Sequence, residues 1–164
     1  MLEYIESRSL ESRLAALEAA QQLAWSSRDS LQRRRKQNMA RNAVRLTPLC
    51  ADALNILAEL SSSPQEALLY YERALHAAEF ALAPKTLTDY AGGFWVYIET
   101  RPYMTALLGF ATALSDLDKT GEAIECCRRL LALNSPESCT IAPPQPTWYF
   151  VSPRCCASTL CPGS

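Results

Sequence analysis

Few residues in this sequence have the types and spacing that catalysis requires. His76 is the single histidine among 164 residues, and it stands between Leu75 and Ala77 in an alanine-rich stretch. A general base or an activated nucleophile needs several titratable groups that converge, and one histidine with apolar neighbours provides almost none. The glycine pair Gly92-Gly93 belongs to no phosphate-binding pattern. The sequence therefore predicts a protein that is not an enzyme.

The seven cysteines suggest two further kinds of chemistry, metal binding and redox reactions. The last 30 residues hold four of them, Cys139, Cys155, Cys156 and Cys161. The C-x2-C pairs typical of zinc sites are absent there, so we expect no metal and no cofactor. Cys126 and Cys127 are adjacent in a helical segment, and their side chains should point about 100 degrees apart. At most one is then buried, and a redox-responsive or enzyme-accessory role through the exposed thiol is one alternative function.

A dense basic run, Arg33 to Lys36, continues along the same predicted helix to Arg41 and Arg45. Such a run is found in nuclear or nucleic-acid adaptors, but arginine stems also cover ordinary solvated helix faces. Residues 1–48 carry nine Lys and Arg against five Asp and Glu, whereas residues 49–104 carry three against seven. Because the net charge of the chain is −1, we do not expect nucleic acid to be its main partner.

Helices must position these residues, because good helix formers dominate the chain and no strand pattern interrupts them. Polar or proline-containing breaks divide the sequence at Ser26–Ser30, Pro48, Ser63–Pro64 and Pro84. Ser63, Pro64 and Glu66 together predict a helix start with a capping box. The predicted helices are 10–26, 31–46, 49–60, 64–83, 103–117 and 122–133, with a short helix at 95–98. No stretch is long and apolar enough to span a membrane.

The segment Glu99-Thr100-Arg101-Pro102-Tyr103-Met104 separates an aromatic stretch from the fifth predicted helix. Proline is tolerated in a first helical turn, and Thr100 is a possible cap. Tyr103 and Met104 can then pack against Phe94 and Trp95. The segment is therefore predicted to start the fifth helix. Arg101 and Tyr103 are possible ligand contacts.

Paired helices joined by short polar turns led us to look for a repeat of about 34 residues. Leu107, Phe110, Ala111, Leu114, Ala123, Cys127 and Leu130 have the spacing of large and small residues seen in a tetratricopeptide repeat (TPR). Partial copies of the same pattern include Ala67, Tyr71, Ala74 and Leu75, and earlier Ala40, Ala43 and Val44. The chain thus resembles TPR proteins, in particular a largely uncharacterised group with a GGFW…ETRPYM connector before the last repeat. It departs from the pattern at Lys36, Asp118, Cys127 and Pro136.

The resemblance implies an all-α fold of stacked antiparallel helix hairpins in a right-handed superhelix. The repeat domain is expected at 17–136, with hairpins at about 17–50, 51–83 and 104–136 and an aromatic connector at 84–103. Residues 1–16 would be a helical extension. The segment 137–164, rich in Pro and Cys, is expected to be a disordered tail. Because no polar closing helix follows Leu133, self-association through the last hairpin is a further expectation.

The resemblance also implies a function, since stacked TPR hairpins bind partner peptides in a concave groove. We therefore predict a non-catalytic interaction or scaffold module, located in the cytoplasm or the nucleus. The carboxylate clamp of chaperone-binding TPRs is not carried over, because Gln21 and Trp25 stand at its first positions. The predicted partner-binding residues are Gln21, Trp25, Arg28, Asp52, Asn55, Glu59, Arg101, Tyr103, Thr105, Leu108 and Thr112.

Overall fold

A computed structural model describes residues 4, 9–82, 90 and 92–134 of the chain. These residues form six α-helices and one 3-10 turn, with no β-strand among them. The predicted tail at 137–164 lies outside the described residues. The helices are α1 (Leu10–Arg28), α2 (Arg33–Leu46), α3 (Ala51–Glu59), α4 (Pro64–Ala81), α5 (Arg101–Asp116) and α6 (Thr120–Asn134), and the 3-10 turn is Ile98–Thr100.

The helix starts follow from local capping chemistry. At α4 the Ser63 hydroxyl accepts a hydrogen bond from the amide of Glu66 at 3.2 Å, and Pro64 occupies the first turn. The Glu66 carboxylate in turn accepts from the amide of Ser62 at 3.2 Å. The start predicted from the sequence is therefore confirmed. The Ser9 hydroxyl caps α1 in the same way, because it accepts from the amide of Ser12.

The helices form three hairpins that pack in sequence order. Each of the pairs α1 with α2, α3 with α4 and α5 with α6 is joined by a short turn, so its two helices run antiparallel. Neighbouring hairpins touch through α2 and α3, α4 and α5, α1 and α3, and α3 and α5. The predicted all-α stack of helix hairpins is confirmed.

Two apolar cores lie inside the stack. The first joins α1, α2 and α3 and consists mainly of alanines, with Ile56 and Leu57 as its large members. The second joins α3 to α6 and contains large side chains, among them the fully buried Phe94, Tyr103 and Leu107. Small residues allow two helix axes to approach closely, whereas the large residues fill the space between hairpins.

The second core also encloses an ion pair. Arg129 of α6 donates a hydrogen bond to Glu79 of α4 at 3.0 Å, and only 10% and 12% of these two side chains is exposed. The Arg129 guanidinium lies 5.3 Å from the centre of the Tyr103 ring, which is a cation-π distance. Tyr103 is thereby fixed between the last two hairpins.

The connector before α5 is bound to the end of α6. The amides of Gly92 and Phe94 donate to the carbonyl of Leu133 at 3.0 and 3.5 Å, and the amide of Trp95 donates to Asn134 Oδ1 at 3.1 Å. These bonds satisfy part of the acceptor set that every helix leaves free at its C-terminus.

The segment 99–104 starts α5 as the sequence predicts, since Pro102 lies in its first turn and the rings of Phe94 and Tyr103 pack edge to face at 6.1 Å. Two details differ. The short helix is the 3-10 turn Ile98–Thr100 and not residues 95–98. Thr100 does not cap α5 with its side chain, because its hydroxyl donates to the carbonyls of Phe94 and Tyr97.

Candidate functional site

The first helices of the three hairpins, α1, α3 and α5, lie side by side and form one face of the stack. Two open pockets on this face share a single lining residue, Thr105 of α5. We call the two pockets together the groove. The groove follows one face of α5 from Arg101 to Asp116, because residues 101, 105, 108, 112 and 116 recur at helical spacing.

The first pocket, which we call the arginine pocket, has a volume of about 240 Å³. Helix α1, helix α3, the connector and the start of α5 all contribute to it. Two tryptophans, Trp25 and Trp95, line it with about half of each side chain exposed. The complete lining is Gln21, Trp25, Arg28, Asp52, Trp95, Ile98, Arg101, Pro102 and Thr105.

Asp52 is the acid of the arginine pocket, and its carboxylate is already occupied. Arg28 Nη2 donates to one oxygen and Gln21 Nε2 donates to the other, each at 2.9 Å. Only 10% of the Asp52 side chain is exposed, against 42% for Arg28. Burial raises the pKa of the Asp52 carboxyl above its ordinary value, although the Arg28 charge opposes the shift. Arg28 and Asp52 thus form a locally neutral pair that links the first two hairpins.

Arg101 differs from Arg28 because it forms no ion pair with any described residue. Its Nε donates to the carbonyl of Trp95 at 3.3 Å, a bond that leaves the guanidinium charge uncompensated. The side chain is exposed. The arginine pocket therefore carries a net positive charge, supplied by Arg101.

The second pocket, which we call the acidic pocket, has a volume of about 390 Å³. Glu59 of α3 and Asp116 of α5 are its charged residues, and no Lys or Arg lines it. Burial, with the Glu59 charge as a second cause, raises the pKa of the Tyr71 phenol. The complete lining is Ala58, Glu59, Pro64, Ala67, Tyr71, Thr105, Leu108, Gly109, Thr112, Ala113 and Asp116.

Glycine is required at position 109 in the floor of the acidic pocket. The Tyr71 ring of α4 lies directly on the α5 backbone there, and a Cβ on Gly109 would overlap the ring. Close approach of this kind permits no side chain without displacement of the neighbour. The width of the acidic pocket therefore depends on Gly109 and Tyr71 together.

Nine of the eleven sequence-predicted partner-binding residues line the groove. Gln21, Trp25, Arg28, Asp52, Arg101 and Thr105 line the arginine pocket, and Glu59, Leu108 and Thr112 join Thr105 in the acidic pocket. The structure brings these nine residues to one surface. Their role in binding stays a prediction.

Asn55 and Tyr103 are the two exceptions, because both are fully buried. Asn55 Nδ2 donates to the carbonyl of Pro102 at 2.8 Å, so this side chain ties α3 to the start of α5. Tyr103 packs between Phe94 and Arg129 and cannot reach a ligand in the groove. We remove both from the candidate surface. Arg101, predicted as a possible ligand contact, also donates a hydrogen bond to the carbonyl of Trp95.

Several groove residues were not predicted, and the main ones are Trp95, Ile98, Tyr71 and Asp116. Trp95 and Ile98 belong to the aromatic connector, which we expected to pack inward; Ile98 is 64% exposed. Asp116 follows Thr112 by four residues on the same face of α5, and this spacing was a signal that could have found it.

The remaining sequence candidates lie outside the groove. Cys126 is buried, which raises the pKa of its thiol to about 11, whereas Cys127 is exposed. The prediction that only one of this pair is buried is confirmed. A thiol with so high a pKa is a poor nucleophile at neutral pH, so any thiol chemistry at this pair falls to Cys127.

The basic run lies on α2, where Arg34, Arg41 and Arg45 are exposed and Arg33 donates to the carbonyl of Leu60 at 2.6 Å. Arg33 therefore has a structural contact between the first two hairpins. On α6, Ile124 and Leu131 are exposed apolar residues, and self-association through this helix stays a prediction.

Comparison with known proteins gives no family for this chain. No family model matches the sequence, and no curated protein or solved structure is detectably similar to it. Within the described residues, no group of three His, Cys, Asp or Glu side chains is arranged to hold a metal ion, and no helix has the length and apolar character needed to cross a membrane. The functional argument therefore depends on the groove itself.

Proposed function

We propose that this chain is a non-catalytic interaction module that binds an extended segment of a partner protein in the groove, as the resemblance to TPR proteins implies. The observation that supports the proposal most strongly is the continuity of the two pockets through Thr105. This continuity gives one surface along the full length of α5. A partner segment can contact three hairpins at once on such a surface.

The size of the groove suits a short peptide. From residue 101 to residue 116 the helix rises about 22 Å, at 1.5 Å per residue. An extended chain covers this distance with about six or seven residues, at 3.3 Å per residue. Main-chain groups of the peptide could form hydrogen bonds with polar side chains that line the groove, such as Gln21 and Thr112.

Trp25 and Trp95 supply the kind of contact on which binding energy usually depends. Each is about half exposed, at 48% and 44%, and both line the arginine pocket. Tryptophan buries a large area with little loss of side-chain entropy, and it is enriched among residues that dominate interface energies. An apolar side chain of the partner would be buried against these rings.

The hydrogen bonds of Asp52 and the position of His76 support a function without catalysis. The Asp52 carboxylate accepts two hydrogen bonds within the protein and forms an ion pair, so it is poorly placed to act as a base. His76, the single histidine, is in α4 and does not line either pocket. The groove thus offers binding contacts without an evident proton-transfer pair.

Selection from a display library of random nine-residue peptides tests this proposal. We expect the immobilised protein to enrich related peptides, and we expect Trp25→Ala to weaken the best synthetic peptide by at least about tenfold in fluorescence polarisation. Phe80→Ala is the matched control, since Phe80 is a half-exposed aromatic residue of α4 outside both pockets. The proposal is wrong if nothing is enriched, or if both variants bind as the unmodified protein does.

A further inference from the structure

The two ends of the groove carry opposite charges. In the arginine pocket the Arg28–Asp52 pair is neutral as a unit, and Arg101 adds a positive charge that no described carboxylate balances. In the acidic pocket Glu59 and Asp116 add two negative charges, and the lining contains no cation. The neutral Thr105 lies at the boundary between the two pockets.

Both indole rings of the groove lie at one of its ends. Trp25, Trp95 and Ile98 surround the arginine end and are about half exposed or more. At the acidic end Leu108 is the exposed apolar residue, and Thr112 and Tyr71 provide hydroxyl groups. A large apolar side chain of the partner can therefore contact the Trp25 and Trp95 rings beside Arg101.

The unpaired charges are suited to recognition because they form no ion pair within the described part of the chain. Arg101 has one hydrogen bond to a main-chain carbonyl, and neither Glu59 nor Asp116 takes part in an ion pair among the described residues. A complementary charge on a partner gains attraction without the loss of an internal contact. Like charges placed at the same positions would be repelled, which gives the groove a sign preference.

We propose that the groove selects a bipolar peptide, and this inference depends on the proposed function above. The peptide carries an acidic residue with a neighbouring large apolar residue at the arginine end, and a basic residue at the acidic end. The distance along α5 sets the separation of the two peptide charges at about five to seven extended residues. Charge complementarity at both ends also fixes the direction in which the peptide lies.

Two charge reversals test the bipolar peptide directly, with the same library and blocked peptide ends. The unmodified protein is expected to enrich peptides with an acid and a base at the stated separation. Arg101→Glu should replace the selected acid by a base at that end, because the pocket charge changes from +1 to −1. Glu59→Lys should abolish the selection of a base, because Asp116 and the new lysine leave the acidic pocket with no net charge. For the best peptide, each reversal should weaken binding by at least about tenfold at low salt and by less at high salt.

Matched controls separate these effects from general changes of net charge. Arg41→Glu lies on the exposed face of α2 and Glu122→Lys on α6, both outside the groove, so the selected peptides should not change. Circular dichroism melting checks that all four variants remain folded.

The outcomes distinguish this inference from the proposed function. Enrichment of peptides with no charge pattern, or a pattern unaffected by Arg101→Glu and Glu59→Lys, would overturn the bipolar groove and leave the groove as a peptide site. A pattern that also changes in the two control variants would overturn it too, because net charge would then explain the selection. Absence of any enrichment would overturn both.

Discussion

The buried residues around α1 and α2 are mostly alanines, whereas those between α4, α5 and α6 include Phe94, Tyr103 and Leu107. Alanine buries little apolar area, so the first hairpin obtains less hydrophobic stabilisation than the last one. Polar contacts supplement it. Ser27 donates to the carbonyl of Lys36 at 2.8 Å, and the Arg28–Asp52 pair connects α1 to α3.

The difference shows that one helix stack uses two means of joining its hairpins. The alanine-rich end depends on close helix approach and on partly buried hydrogen bonds, and the aromatic end depends on large buried groups and an enclosed ion pair. The arginine pocket lies where the two regions meet, with residues from α1 on one side and from α5 on the other. Substitutions in the two regions should therefore have different costs.

The largest effect is expected at the enclosed ion pair of the aromatic region. Arg129→Ala removes both the ion pair with the largely enclosed Glu79 carboxylate and the cation-π contact with Tyr103, so it should lower the free energy of unfolding by about 3 to 5 kcal/mol. Urea unfolding followed by circular dichroism measures the change. Arg128→Ala is the matched control, because Arg128 is 72% exposed and its pair with Glu125 should contribute less than about 1 kcal/mol. Equal midpoints for the two variants would contradict the comparison.

An intermediate effect is expected in the alanine-rich region. Ala40 of α2 is fully buried, and Ala40→Leu adds atoms where the helices approach closely, which should cost about 1 to 3 kcal/mol. Ala19→Leu provides the control on the exposed side of α1, with an expected change within about 0.5 kcal/mol. If Ala40→Leu stabilised the protein, the interface would be loosely packed and the comparison would fail.

The smallest effect is expected at the polar link between the regions. Asp52→Asn should change the free energy of unfolding by less than about 1 kcal/mol at neutral pH, since Arg28 is 42% exposed and regains water. The fold raises the pKa of Asp52 above 3.8, its ordinary value, so the folded state binds this proton more tightly than the unfolded state does. The free energy of unfolding therefore falls as the pH increases between the two pKa values. The variant should lack this decrease in an acid titration of stability. If the free energy of unfolding of the variant decreased more over this pH range than that of the unmodified protein, the ion pair would stabilise the fold strongly.

Apolar stripes at helical spacing and polar breaks predicted the six helices, because these signals are local, and the Ser63-Pro64-Glu66 pattern located a helix start for the same reason. The stack of hairpins was implied by the resemblance to TPR proteins. The exact ends were less predictable; α5 begins at Arg101 and not at residue 103, with Pro102 inside its first turn. Helix geometry alone also predicted that at most one of Cys126 and Cys127 is buried.

The rest could not be read from local patterns, because it depends on residues far apart in the chain. Arg129 and Glu79 are 50 positions apart, and no spacing rule joins them. Tyr103 was predicted as a possible ligand contact, but Phe94 of the connector and Arg129 pack against it and it is fully buried. Asn55 lies on the groove side of α3 by periodicity, yet the start of α5 buries it.

The bonds between the connector and α6 also decide where the chain can be shortened without damage to the groove. Leu133 and Asn134 accept the amides of Gly92, Phe94 and Trp95, so removal of these two residues would release the backbone that holds Trp95 at the rim. A version that ends at residue 132 would lose a wall of the arginine pocket more than 30 positions away in the sequence. An intact groove therefore requires the chain through Asn134.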